Sequence, residues 1–391
     1  MIDLLAGIGA CAAWAYLLFA RGGFWRCAIT DGAALLKPAD SESWPAVAAI
    51  VPARNEADNI GRSLRALIRQ DYPGRLSILV VDDQSADKTA EAASETASVD
   101  PRPDRSVAIL SGRPVPARWT GKLWAMRQGL AALEAGGEGA RLVLFADADI
   151  ELGPDALRRL VSIARAKGAV LTSLMAKLRC ESFAERWFVP AFVFFFQMLY
   201  PFAWVNDPRR AAAAAAGGCM LVDRAALNGA GGLEAMRGAL IDDCALAALM
   251  KRRGPIWLGL TQNAFSFRSY PTVADFGRMV ARSAFAELRF SALRLAVAVA
   301  GMAFVFLAPP LLALFGHGWA RAAGALAWAA MALAFAPMLR FYRLPVAQGL
   351  ALPLVAAAYV VFTCQSAAQY WRGRGGMWKG RVQAPPLVNE A

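Results

Sequence analysis

Several carboxylates in this chain stand where they could act on a ligand. Asp147 and Asp149, separated by Ala148, follow a four-residue apolar run at 142–145 within the stretch LVLFADADIEL, residues 142–152. Two carboxylates at the end of a buried strand can share one hard divalent cation. Mg²⁺ takes one or two protein carboxylates and fills its other positions with water and substrate phosphate. The same pair would also suit a solvated turn. Asp82-Asp83 closes a second apolar run at 76–81, and Arg54-Asn55-Glu56 follows a third at 47–51. Asp242-Asp243 opens a helical pattern, where acids also stabilise the helix N-terminus. Gly217 and Gly218 would let a ligand come close to the backbone.

These groups must be positioned by the elements around them. Apolar runs at 47–51, 76–81, 107–110 and 142–145 predict buried strands, and the patterns at 59–70, 87–97 and 121–133 predict the helices between them. Alternating strands and helices predict an α/β domain with a largely parallel sheet. Ligands of such sheets gather beyond the carboxyl ends of the strands. Arg54-Asn55-Glu56, Asp82-Asp83 and Asp147-Asp149 are all placed there. Residues 217–222 read as a tight turn and strand.

The rest of the chain is greasier than a soluble protein. Of 391 residues, 57% are hydrophobic and 18% charged, and the net charge is +12. That balance predicts membrane spans. The basic excess comes with no nucleic-acid-binding motif, which leaves an anionic membrane surface as its simplest partner. Residues 2–20 have the length of a span and lack preceding positive charges, while Arg21, Arg26 and Lys37 follow. An uncleaved anchor at 1–21 is expected, with a domain at 44–270 behind a polar linker at 36–43 and facing the cytoplasm. The aromatic segment 187–205 predicts an interfacial helix pair broken at Pro190 and Pro201, with a span or a buried core helix as alternatives. A basic amphipathic helix is expected within 271–294, lying on the membrane surface. Apolar segments at 295–315, 320–339 and 345–368 are near spanning length and place transmembrane helices within 295–371; a basic tail follows at 372–391. Three C-terminal crossings would put that tail outside, against the positive-inside rule, unless one segment is re-entrant or interfacial. The six cysteines are scattered and the single histidine is His317, so neither a zinc site nor a disulfide framework is indicated.

In order, PARNEA at 52–57, VVDDQS at 80–85, Gly121-Lys122, ADAD at 146–149, GGCMLV at 217–222 and IDD at 241–243 resemble the inverting family 2 glycosyltransferases, whose nucleotide-sugar-binding fold is called GT-A. With its anchor, its aromatic segment, SFRSYP at 266–271 and its greasy C-terminus, the chain resembles the membrane glycosyltransferases associated with hopanoid biosynthesis in bacteria. Carotenoid and ceramide glycosyltransferases are more distant relatives. The resemblance implies an α/β, Rossmann-like GT-A domain in a multi-pass protein of the bacterial inner membrane. It implies that Pro52, Ala53, Arg54 and Glu56 meet the nucleoside, that Asp82 and Asp83 hold the base or ribose, and that Lys122 lies near the phosphates. Asp147 and Asp149 would flank ribose and a divalent cation, Mg²⁺ or Mn²⁺, with Asp149 the direct ligand. Asp243, preceded by Asp242, would be the catalytic base. Gly218, Cys219 and Arg282 fall on the acceptor side. The family's Q-x-x-R-W motif reads Met279-Val280-Ala281-Arg282-Ser283 here, so only its arginine remains. The missing Trp argues against a processive polysaccharide synthase.

The expected reaction is transfer of one sugar, with inversion, from a UDP-sugar or other nucleotide sugar to a membrane lipid, a hopanoid by resemblance. A polyprenyl phosphate as acceptor, or a nucleotide-sugar-binding membrane protein without catalysis, are the alternatives. A transporter is disfavoured because intramembrane charges of the kind transporters use are absent.

Overall fold

The computed structural model describes residues 1–32, 43–99, 102, 104–137, 139–377, 379–381 and 383. The expected linker at 36–43 therefore lies, apart from Ser43, outside the described residues, as do Lys37 and most of the end of the basic tail. The chain divides into two compact units. One comprises residues 29–179 and 204–268, and the other 1–28, 180–203 and 269–391.

The first unit is built on a sheet of eight strands among the described residues. These are β1 (Val47–Ala53), β2 (Leu76–Asp82), β3 (Arg105–Ser111), β4 (Leu142–Ala146), β5 (Ile150–Leu152), β6 (Leu171–Leu178), β7 (Cys219–Asp223) and β8 (Ile256–Ser266). Their order is β3-β2-β1-β4-β7-β6-β8-β5. β3, β2, β1 and β4 run parallel, in the register Ala53↔Asp82 and Val47↔Leu142. β7 is antiparallel to both β4 and β6, β8 is parallel to β6, and β5 closes the edge antiparallel to β8.

β1 is buried along its whole length, as expected of a parallel strand covered on both faces. Val47, Ala49, Val51 and Ala53 join one core with Ile60, Leu64 and Leu67 of the Ala57–Ile68 helix and Leu157 and Leu160 of the Ala156–Lys167 helix. Ile50 points the other way, to the Gly121–Ala135 helix. There a Cβ on Gly129 would lie 2.6 Å from the Ile50 Cγ2 atom, so only glycine lets helix and strand approach this closely.

The second unit is helical. Ile2–Ala20, Ala292–Phe315, Gly318–Phe341 and Val346–Trp371 are, among the described residues, four helices long and apolar enough to cross a membrane. The N-terminal one packs through small residues: a Cβ on Gly7 would meet the Ala323 Cβ at 2.9 Å. Trp14 sets its indole N–H on the Val305 carbonyl (2.9 Å) and its ring edge-on to Phe306.

Two expectations change here. Pro190 does not break the aromatic segment; Phe183–Leu199 is one helix that runs through it and stops before Pro201. An internal proline costs about 3 kcal/mol. Phe188, Phe194 and Phe195, all buried, offset it, at about 1.5–3 kcal/mol for each buried side chain. The helix also has a complete capping box from Ser182 and Glu185. Nor is 271–294 one helix. Val273–Ala281 and Ala284–Glu287 precede a break at Arg289 and Phe290, whose φ angles are +53° and +55°, and Ser291 then caps the Ala292–Met302 helix.

Candidate active site

Because β1, β2 and β4 are parallel, their carboxyl ends share one edge, and the loops leaving them carry the expected groups. The loops after β1 and β2 are laced together. Asp83 N–H donates to the Ala53 carbonyl (2.7 Å), Arg54 Nη1 to the Gln84 carbonyl (2.8 Å), and Glu56 N–H to Thr89 Oγ1 (2.9 Å). Asn55 and Gln84 take left-handed backbone at φ +50° and +55°. Asn55 secures the turn by accepting from Ala86 N–H (2.8 Å). Asp82 accepts from the Ser85 hydroxyl and so closes its own turn, while Asp83 is fully buried. Pro52 and Ala53 are buried residues of β1 itself.

β4 ends at Ala146, opposite Cys219 of the antiparallel β7. This register puts Asp147 beside the glycines, with its N–H donating to the Gly218 carbonyl (3.2 Å). Lys122, in the first turn of the Gly121–Ala135 helix, extends its Nζ to Asp147 Oδ1 (2.8 Å) and Asp242 Oδ2 (3.1 Å). Asp242 and Asp243 open the Asp242–Lys251 helix. Asp243 accepts from Gly217 N–H (2.9 Å) and from Cys244 N–H (2.7 Å). A Cβ on Gly217 would come within 3.2 Å of both Asp243 Oδ2 and Lys122 Nζ, so this glycine leaves room for the acid–amine cluster.

Burial pushes the Asp243 carboxyl up to about 6. The adjacent Asp242 charge adds to the rise, while Lys122 and the two backbone N–H groups oppose it. For Lys122, burial alone would lower the pKa; the charges of Asp147 and Asp242 outweigh it and hold the amine protonated well above the ordinary lysine value.

Arg268, two residues past the end of β8, is a site residue to which sequence reasoning assigned no role. Its Nε donates to Asp149 Oδ2 (2.7 Å) and its Nη2 to Glu56 Oε1 (2.8 Å). It thereby joins two acids that are only 7% and 6% exposed and that come from different strand ends. The available signal was its place in SFRSYP, but a role needed β8, which pairs Ser266 with Ile150 and brings Arg268 next to Asp149. Arg268→Ala removes a guanidinium shared by two buried carboxylates. Breaking a fully buried pair costs about 3–5 kcal/mol; with Arg268 partly exposed we expect about 2 kcal/mol. Thermal unfolding of the full chain, followed by tryptophan fluorescence, should fall by about 5 °C. An unchanged transition would show that the two acids do not need this cation.

Asp147 has one oxygen on Lys122 and Asp149 one on Arg268, which leaves one carboxylate oxygen on each. Among the described residues no group of three or more His, Cys, Asp or Glu side chains surrounds a common point. Two hard oxygens fit an ion whose shell is completed by water and a diphosphate, so the residues present suit Mg²⁺ or Mn²⁺. Of the residues expected on the acceptor side, Gly218 and Cys219 adjoin this cluster at the start of β7, and Arg282 follows the Val273–Ala281 helix in the helical unit.

Residues 48–229 match the family model for Glycosyl transferase family 2. The fold over this stretch is the GT-A fold, a Rossmann-like, mostly parallel sheet with a mixed half. A mannosyltransferase from Pyrobaculum calidifontis, solved in complex with GDP-Man and Mn²⁺, superposes with a TM-score of 0.51 at 21% identity, over 97% of this chain and 100% of that one. An N-acetylglucosaminyltransferase of Mesorhizobium japonicum is 34% identical over 153 residues, 38% of this chain. The match spans about a third of that relative's length (33%).

Proposed function

We propose that this protein transfers a single sugar from a nucleotide sugar, a UDP-sugar in our reading, to a hydroxyl group of a membrane lipid, with inversion at the anomeric carbon. The observation that carries the reading is Asp243. It is a carboxylate held by two backbone N–H groups, with its pKa raised to about 6, beside a lysine and the Asp147-Asp149 pair. A base that titrates just below neutrality is suited to removing a hydroxyl proton.

In the proposed reaction the acceptor oxygen attacks the anomeric carbon while the bond from that carbon to the phosphate oxygen breaks. The acceptor proton passes to Asp243, and the nucleotide diphosphate departs with the electron pair. Lys122 puts a positive charge where negative charge develops on the phosphates. Asp147 and Asp149 would hold a divalent cation, which supplies further charge against the leaving diphosphate. Glu56, Arg54, Asp82 and Asp83 would line the nucleoside end, and Arg268 ties Glu56 to Asp149. The lipid acceptor is supported by the four membrane-length helices carried by the same chain. We place the protein in a bacterial inner membrane with the sheet domain on the cytoplasmic side, as the charges after residue 20 favour. A hopanoid is the acceptor suggested by the resemblance.

A polyprenyl phosphate would arrive already ionised and would need no strong base, and the raised pKa of Asp243 favours a neutral hydroxyl over it. The test is nucleotide release from a panel of UDP- and GDP-sugars in nanodiscs of bacterial lipid extract. Release should require lipid, should stop on addition of EDTA and should resume with Mg²⁺ or Mn²⁺. Donor binding without release from any member of the panel would overturn the catalytic reading.

A further inference from the structure

The helical unit contains a groove of about 640 Å³ between the Val273–Ala281 helix and the C-terminal Leu352–Trp371 helix, lined in part by Val273, Phe362, Gln365, Gln369, Arg278 and Arg372. The helices meet closely at one end, where a Cβ on Gly277 would fall 2.7 Å from the Phe362 ring. Phe362, Gln365, Gln369 and Arg372 recur at i, i+3, i+7 and i+10 and so share one face of the long helix. Along that face the lining passes from an aromatic ring through two amides to a guanidinium.

The polarity of the groove is that of an amphiphile with an anionic head. Arg278 lies on the facing helix and is largely exposed; it shares its charge with Asp275, one turn earlier. Arg372 follows Trp371, an exposed aromatic at the end of a membrane-length helix, where tryptophan and arginine mark the headgroup level. An apolar wall beside two arginines at that level fits a lipid tail below and a phosphate above.

We propose that this groove binds an anionic phospholipid, with its phosphodiester between Arg278 and Arg372 and an acyl chain along Val273 and Phe362. The proposal rests on reading the four long helices as membrane spans and is independent of the glycosyl-transfer reading.

The experiment is native mass spectrometry of the full chain in detergent, titrated with phosphatidylglycerol or phosphatidylcholine of the same acyl composition. The wild type should prefer phosphatidylglycerol by about fivefold to thirtyfold, the range expected for one to two arginines near an anionic headgroup. Arg278→Gln with Arg372→Gln should abolish the preference, and Lys at both positions should keep most of it. Arg340→Gln with Arg343→Gln removes the same charge elsewhere in the unit and should leave the preference intact. Equal binding of the two lipids by the wild type would overturn the proposal. So would a preference that survives the Gln pair, or one lost equally in the control pair. Displacement of the lipid by millimolar inorganic phosphate would also overturn it, because the site would then be one for a free anion. Nucleotide release measured on the same preparations reports separately on the proposed enzyme.

Discussion

Asp243→Asn is expected to lower turnover by about 10²- to 10⁴-fold, the usual worth of a general base, while leaving donor affinity close to wild type. Asparagine keeps the shape and can still accept one of the two backbone N–H bonds, so the loss reports on proton transfer and not on folding. In the proposed reaction Asp243 works as the carboxylate, and its pKa is raised to about 6 by burial and by Asp242. Below that pH it is protonated and idle. Wild-type turnover at saturating donor should therefore rise about tenfold per pH unit up to about 6 and then level off. The variant should lack this limb. Full activity in Asp243→Asn, with an unaltered pH profile, would remove Asp243 from the chemistry and favour an acceptor that is already anionic.

Lys122→Ala should cost about 10²- to 10³-fold in kcat/KM, comparable to the loss of one preorganised charge-stabilising donor. It takes away the amine that bridges Asp147 and Asp242 at 2.8 and 3.1 Å. Three neighbouring acids then face one another without that cation. With the lysine's opposing charge gone, the Asp243 carboxyl should titrate at a higher pH than in the wild type, so the acid limb of the rate profile should shift upward. A role confined to holding the helix in place would lower stability without moving that limb, which makes the shift the decisive readout.

The parallel half of the sheet was legible because strands buried on both faces appear as uninterrupted apolar runs, as in VAAIVPA of β1 and LVLFA of β4. Their polar ends then marked the site. β6 and β8 were not legible. Thr172 and Ser173 interrupt the apolar run of β6, and Thr261, Gln262 and Asn263 that of β8; Ser173, Thr261, Gln262 and Asn263 find side-chain hydrogen-bond partners that only the fold supplies. Ser173, for example, accepts from Ala216 N–H and shares its one hydroxyl proton between the Ala216 and Cys219 carbonyls. Without β8, Arg268 had no neighbours, and its bridge between Glu56 and Asp149 could not be inferred.

Helix boundaries failed for a different reason. Pro190 signals a break by local chemistry, and tertiary burial of the surrounding phenylalanines overrides it. Arg289 and Phe290 signal continuation, yet both adopt left-handed backbone, a conformation that neither residue advertises. The acidic clusters were readable because each lies within a few residues of a strand or helix end. The lysine that joins two of them comes from the distant Gly121–Ala135 helix, and only the family resemblance singled it out.

The most direct test of lipid glycosylation uses a donor whose sugar carries carbon-13, incubated with the full chain in nanodiscs of bacterial lipid extract and a divalent cation, followed by mass spectrometry of the extracted lipids. The proposed function predicts a lipid heavier by one labelled sugar residue, formed by the wild type and lost in Asp243→Asn. Label that appears only as free sugar in the aqueous phase, or on a soluble acceptor, would contradict it.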